Sequence, residues 1–329
     1  MGENKLLSIV ICTHNRANLT RDAIVSVLAQ DFPKSKYELL IVDNASTDHT
    51  RKMALEFFEA YPNVLYVFEC NVGLSYARNR GWQEARGEYI GYLDDDAKAS
   101  KEWLKVAAKI SRTIKPAAFG GPTFAFYNNP KPMWFKDEYE SYTLGNNTRP
   151  ISNEEFIIGG NMFIRRDLLK SLGGFNPQLG MAGKKIAYCE EIDFFIRLRR
   201  WLPAAVLYYD PDLFIHHLVR KEKMELRNFP KRCFVESVYF YRVFKQINQK
   251  KEEYSLTKFP YVILLVFKEI SHIAIVLLKI IKTCSWGLAT RDRKKYRYPE
   301  NYIYEQLSGL IVEFGSRFEA VRQLLVSDK

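Results

Sequence analysis

The chain has 329 residues, 47% of them hydrophobic, and a formal net charge of +11. That length and apolar content exclude a disordered chain or a small stapled scaffold, and allow one large domain or two ordinary ones. From Arg220 onward 22 Lys and Arg stand against 12 Asp and Glu, so residues 1–219 are nearly neutral, which argues against a nucleic-acid-binding core and predicts a basic C-terminal appendage facing an anionic membrane leaflet.

Leu6-Leu7-Ser8-Ile9-Val10-Ile11-Cys12 is a continuous apolar run of strand length, as a parallel strand covered on both faces requires. It stops at the polar loop Thr13-His14-Asn15-Arg16. Leu19, Ala23, Ile24, Val27 and Leu28 then share one helical face, with Asn18 as the candidate cap. Residues 37–42 form a second strand, ending in Asp43-Asn44-Ala45-Ser46-Thr47-Asp48. A helix over residues 50–60 leads to a third strand at 64–68. Strand, polar loop and helix in repetition predict an α/β fold with a Rossmann-like, mostly parallel sheet, its ligand beyond the carboxyl ends of the strands. No GxGxxG fingerprint follows the first strand and no P-loop is present, so a nucleotide must be held by side chains and acidic loops.

A fourth buried strand, Glu88-Tyr89-Ile90-Gly91-Tyr92-Leu93, ends in Asp94-Asp95-Asp96. Three adjacent carboxylates repel one another unless a cation or hydrogen-bond donors sit among them. In extended chain Asp94 and Asp96 point to one side and could share a divalent ion; a solvated acidic turn is the plainer reading. Residues 102–114 read as a helix and Ala118-Phe119-Gly120-Gly121-Pro122 as a turn. Residues 127–150 read as a long loop, in which Trp134 and Phe135 either stack on a sugar or close the core. A strand over 157–164 is kinked by Gly159 and Gly160, and Glu190-Glu191 opens a further helix.

In order and spacing, Ser8-Ile9-Val10-Ile11-Cys12-Thr13-His14-Asn15-Arg16, Val42-Asp43-Asn44-Ala45-Ser46-Thr47-Asp48, Asn71-Val72-Gly73-Leu74-Ser75-Tyr76-Ala77-Arg78-Asn79 and Leu93-Asp94-Asp95-Asp96 resemble family-2 glycosyltransferases of GT-A fold. The resemblance covers about residues 6–220. It implies an inverting transfer that uses a nucleotide-diphosphate sugar, with UDP favoured, and Mn²⁺ or Mg²⁺. Carried over by position, Thr13 and Arg16 line the nucleotide pocket, Asp43 accepts a hydrogen bond from the base, and Arg78 supplies a cation near the nucleotide. Asp94 and Asp95 would contact the ribose and sugar side, Asp96 would bind the metal, and Gly159-Gly160-Asn161 would lie beside the donor sugar and acceptor. The family reads Glu-Asp where this chain has Glu190-Glu191, and its second acid is the base; Glu191 takes that role here, with Glu190 as the alternative. A histidine ligand to metal or diphosphate is implied at His216-His217, which point opposite ways on a strand; His216 is preferred. Arg197-Leu198-Arg199-Arg200-Trp201 lacks the Gln of the QxxRW motif of processive synthases, so single addition is expected.

The expected division is a GT-A domain over 1–219, with a nucleotide half at about 1–120 and an acceptor half at about 121–219, and a basic, aromatic-rich helical membrane-associating region over 220–329. Residues 259–281 are apolar but carry Lys268, Glu269, His272 and Lys279. At 100° per residue Lys268, His272 and Lys279 fall within about 40° of one another. A charge at the bilayer centre costs about 2.5–3.5 kcal/mol, so an in-plane helix is expected instead of a span. Burial against the catalytic domain or in a homodimer is the alternative. Trp286 and Arg291-Asp292-Arg293-Lys294-Lys295-Tyr296-Arg297-Tyr298 would supply interfacial aromatics and cations. Five scattered cysteines without a CxxC pair fit a reducing compartment, and the N-terminus leads directly into a strand with no room for a signal peptide. A cytoplasmic, peripheral or monotopic enzyme follows, acting on a lipid-linked saccharide in surface polysaccharide or glycan assembly. Alternatives are a nucleotidyltransferase on the same fold and a non-catalytic, membrane-docked nucleotide-sugar-binding protein.

Overall fold

The computed structural model describes residues 5–183, 185–248, 259–283 and 295–326. Two compact units are present, the first formed by residues 1–128, 137–186 and 190–219, the second by 129–136, 187–189 and 220–329.

The first unit begins with β1 (Leu7–Thr13), α1 (Ala17–Leu28), β2 (Tyr37–Asn44), α2 (Thr50–Ala60), β3 (Val64–Glu69), α3 (Leu74–Glu84) and β4 (Tyr89–Leu93). It continues through β5 (Ala97–Ala99), α4 (Trp103–Thr113), β6 (Ala118–Gly120), β7 (Thr123–Phe126), β8 (Arg149–Pro150), β9 (Asn161–Arg165), α5 (Arg166–Leu172), α6 (Glu190–Trp201), β10 (Leu207–Tyr209) and β11 (Ile215–Leu218). The main sheet has the order β3-β2-β1-β4-β9-β6-β10-β8. Pairing is parallel from β3 through β4 and between β6 and β10; β9 runs antiparallel to both its neighbours.

The continuous apolar runs follow from coverage on both faces. Leu7, Ile9 and Ile11 of β1 join Leu39 and Ile41 of β2 in one core with α1, α2 and α4. Val10, Leu40 and Val42, facing the other way, join a second core containing Ala77, Phe194 and Leu198. At the sheet centre Phe119 and Phe163 stack at 4.8 Å, and Trp103 packs on Phe163 at the same distance.

Three local expectations are corrected. Arg16, not Asn18, precedes α1, and its side chain makes no cap bond; Asp48 Oδ2 accepts from the Ala17 amide at 3.3 Å instead. Residues 118–120 are a strand rather than a turn: a β-carbon on Gly120 would collide with Ile157 and one on Gly121 with the Leu213 carbonyl, so these glycines permit close crossing. The strand read over 157–164 begins only at Asn161, after the glycine pair.

In the second unit α7 (Phe229–Asn248) and α8 (Phe259–Lys282) both pack on α9 (Pro299–Val326). Phe229, Leu307 and Ile311 form its core, with Tyr304 stacked on Phe229 at 4.3 Å. Trp134 and Phe135 lie against Tyr304, so both side chains close this small aromatic core. Arg242 holds the fully buried Glu319 through two bonds of 2.8 and 3.0 Å, tying α7 to α9. Among the described residues no helix is long and apolar enough to cross a membrane. On α8 Val276 is buried, whereas Ile270, Ala274, Leu277, Leu278 and Ile281 form an exposed stripe at helical spacing. Trp286 and residues 291–294 of the expected interfacial segment lie outside the described residues.

Candidate active site

The loops after β1, β2 and β4 meet at the carboxyl ends of the parallel strands. Thr13 and Asp43 are register partners there. Asn15, in the left-handed region with φ 56°, turns the first loop so that its side chain accepts the Thr47 amide at 2.7 Å. His14 Nδ1 lies 2.6 Å from the Asn44 carbonyl, lacing the two loops together. Asp43 is almost sealed from solvent, and both its oxygens accept bonds, from Tyr66 Oη at 3.0 Å and the Ser46 amide at 2.9 Å.

The acidic triplet is a turn, closed by the Ala97 amide donating to the Asp94 carbonyl at 3.1 Å. Its three side chains take different partners. Asp95 and Asp96 face Arg16, whose Nη1 lies 2.8 Å from Asp95 Oδ1 and 3.5 Å from Asp96 Oδ2. Burial raises the Asp95 carboxyl, with the Arg16 cation opposing and the Asp96 charge adding to the rise. Asp94 and Asp96 both face His217 Nε2, at 3.5 and 3.1 Å. One ligand atom from each of Asp94, Asp96 and His217 lies within 4.8 Å of the others.

That histidine is not the preferred one. Strand β11 pairs antiparallel with β5, which sets His217 opposite Ala97, immediately after the acidic turn. His217 shares a strand face with the buried Ile215, whereas His216 is exposed and packs on Phe214 at 5.5 Å. Alternation with the apolar Leu213 and Ile215 was the signal available in the sequence. Burial opposes charging His217, but hydrogen bonds and charge from Asp94 and Asp96 prevail and lift it to about 9. A proton on His217 Nε2 would lie between the two carboxylates. Two carboxylates and an imidazole converging this closely fit a divalent ion in place of that proton.

Arg78 on α3 is buried beneath this turn. Its Nη1 bonds Glu190 Oε1 at 2.6 Å, its Nη2 lies 3.7 Å from Asp94 Oδ1, and its guanidinium covers the rings of Tyr92 and Phe175. The glycine pair is explained by the same cluster: a β-carbon on Gly159 would strike the Arg78 guanidinium, and one on Gly160 the Asp94 carboxylate. The side chain of Asn161, at the end of the Gly159-Gly160-Asn161 segment, is committed to the core. It accepts from Trp103 Nε1 at 2.9 Å and donates to the carbonyls of Pro122 and Leu213.

Glu190 and Glu191 open α6. Glu190 is taken by Arg78, while Glu191 makes no ion pair among the described residues. Burial and the adjacent Glu190 charge push Glu191 up to about 8, against the pull of Arg78. The geometry therefore joins Arg16, Arg78, Asp94, Asp95, Asp96, His217 and Glu190 into one network, with Glu191 next to Glu190 at the start of α6 and outside its ion pairs.

The glycosyl transferase family 2 model matches residues 8–173, half of the chain and all of the nucleotide-side loops. The chain belongs to glycosyl transferase family 2. Among curated members, the glycosyltransferase AglE of Haloferax volcanii is 31% identical over 179 residues, 54% of this chain and 58% of that protein. The chain thus spans little more than half of AglE. The succinoglycan biosynthesis protein ExoM of Rhizobium meliloti is 27% identical over 239 residues, 71% of this chain and 73% of that one. Among solved structures, the mannosyltransferase PcManGT of Pyrobaculum calidifontis, in complex with GDP-Man and Mn²⁺, gives a TM-score of 0.61 at 17% identity, covering 98% of this chain and 88% of that one. The S. aureus TarS 1–349 structure with UDP gives 0.53 at 17% identity, covering 93% and 90%. These likenesses establish the GT-A type of α/β fold for this family member.

Proposed function

We propose that this family-2 protein transfers a sugar from a nucleotide-diphosphate donor, with UDP favoured, to an acceptor hydroxyl, inverting the anomeric carbon. The observation that carries the reading is the convergence of Asp94, Asp96 and His217 at the carboxyl ends of the parallel strands, with Arg78 tying Asp94 to Glu190, the chain neighbour of Glu191. A divalent ion, Mn²⁺ or Mg²⁺, would be held by Asp96 with Asp94 and His217, and would neutralise charge on the departing diphosphate. Thr13, Arg16 and Asp43 would line the nucleotide side, Arg16 also fixing Asp95. Glu191, with no cation of its own, would take the proton from the acceptor hydroxyl. PcManGT with GDP-Man and Mn²⁺, and TarS with UDP, support the donor class.

The test is a panel of nucleotide sugars assayed by thermal shift with and without Mn²⁺. A donor at a hundred times its dissociation constant should stabilise the protein by about 2.7 kcal/mol, only when the ion is present. If no nucleotide sugar does so, the reading fails.

A lipid-linked saccharide at the membrane face is the acceptor favoured by the second unit. Its α8 stripe leaves Leu278 and Ile281 66% and 61% exposed, beside the exposed Lys279 and Lys282, in a segment with a surplus of positive charge. A helix with this division binds an anionic interface in plane. Phosphatidylglycerol vesicles should sediment the protein at low salt and lose it as salt rises, and Leu278→Asp with Ile281→Asp should weaken binding severalfold. Equal sedimentation of the double variant would exclude this helix as the contact.

A further inference from the structure

The opposite edge of the main sheet carries a second charged feature. Lys5, Lys36 and Gly87 precede the amino ends of β1, β2 and β4, and there the surface opens into a cleft of about 850 Å³. Strands β1, β2 and β4 run from this cleft to the candidate active site, so the two lie at opposite ends of the sheet. The ends of α3 and α4 and the start of α5 supply its walls.

Lys36, Arg86, Arg112, Lys115, Arg166 and Lys170 line it, and none of the six makes an ion pair among the described residues. Lys5 and Arg165 are present too, the first donating to the Ser35 carbonyl at 3.0 Å and the second paired with Asp167. Glu88 and Asp167 are the acids in the lining.

This charge is segregated, not inherited from composition, because residues 1–219 are nearly neutral. Elsewhere on the same unit some surface cations pair with acids, as Arg21 with Glu56 at 2.6 Å, Lys98 with Asp22 at 2.8 Å and Arg80 with Glu84 at 2.9 Å, while others stand singly; the cleft differs in gathering six into one concavity. Like charges gathered in one concavity focus their field and attract anions.

Arginine forks and lysine point charges together are suited to phosphate oxygens. The cleft is concave and within the size range of small-molecule sites, about 300–1,000 Å³, which favours a soluble ligand over a flat bilayer. We propose that this cleft binds a soluble anion carrying several phosphate groups, at a site separate from the donor loops.

The test uses the full chain in EDTA, so that the acidic turn repels anions, with sodium tripolyphosphate as the probe in thermal-shift and calorimetric titrations. Salt is kept at about 0.15 M, where the Debye length is about 8 Å and diffuse attraction is screened. The wild type should show saturable stabilisation. Arg112→Glu, Lys115→Glu and Arg166→Glu combined, all at exposed positions, should weaken it at least tenfold. Stabilisation by donor with Mn²⁺ should be unchanged in that variant. The neutral set Arg112→Gln, Lys115→Gln and Arg166→Gln repeats the test if the reversed charges disturb folding. An equal response in wild type and variants, or a wild-type response that disappears at this salt, overturns the proposal. So does variant-sensitive binding to phosphatidylglycerol vesicles without tripolyphosphate binding, which would make the cleft a membrane contact.

Discussion

Asp96→Asn will reduce metal-dependent transfer by roughly 10²–10³-fold, the scale of removing one group that stabilises developing charge. The side chain is 4% exposed and stands between Arg16 and His217, so asparagine fits its volume but cannot supply the charge that holds a cation. The apo protein will not suffer in proportion. Removing one of three adjacent carboxylates relieves their repulsion but takes a partner from His217 and Arg16, so the two effects oppose in EDTA while the gain on adding Mn²⁺ disappears. Retention of that Mn²⁺ gain would remove Asp96 from the ligand set.

His217 makes the same prediction pH-dependent. Its folded pKa of about 9 stands above the usual 6.5, so protonated His217 stabilises the metal-free fold fully below about 6.5. That contribution is lost as pH rises towards 9. An entering cation must displace this proton, so Mn²⁺ affinity should increase with pH across the same window and binding should release a proton. His217→Gln should weaken Mn²⁺ binding and abolish the release, and His216→Gln should alter neither, as calorimetry in buffers of different ionisation enthalpy would reveal.

What the sequence conveyed was local. The runs of β1, β2 and β4 and the loops that end them were readable because coverage on both faces leaves an unbroken apolar string. From the sequence, Gly120-Gly121 reads as part of a turn and Gly159-Gly160 as a kink in a strand. Their cause lies far away in sequence, in Ile157 and Leu213 for the first pair and in Arg78 and Asp94 for the second. Alternation with Leu213 and Ile215 points to His217 over His216, but that it meets the acidic turn depends on the pairing of β11 with β5. The Arg78–Glu190 bond joins residues 112 apart, and it distinguishes two neighbouring glutamates that are equivalent on paper. The family resemblance implies Gly159-Gly160-Asn161 beside the donor, but only the structure shows the Asn161 side chain held by the Trp103 indole and two carbonyls.

Glu191→Gln will cost roughly 10²–10⁴-fold in turnover, the usual contribution of a positioned base, and leave donor binding intact. Glu190 cannot easily substitute, since Arg78 holds it at 2.6 Å in a buried pair. A base acts only when ionised, and Glu191 is pushed up to about 8 by burial and by the Glu190 charge. The kcat/KM profile of the wild type should therefore climb towards pH 8. Glu190→Gln removes the like charge and leaves Arg78 to face Glu191 alone, so both changes favour ionisation and the rising limb should move to lower pH. Stability carries the opposite signature. Between about 4.5 and 8 the unfolded chain has lost the Glu191 proton and the folded chain still holds it, so stability falls with pH through that window. Glu191→Gln abolishes this term and should be more stable than wild type at pH 8. Full activity in Glu191→Gln, or a limb unmoved by Glu190→Gln, would assign the base elsewhere. A loss of activity without the gain in stability would mean that Glu191 is already ionised in the folded protein, with Arg78 as its counter-charge.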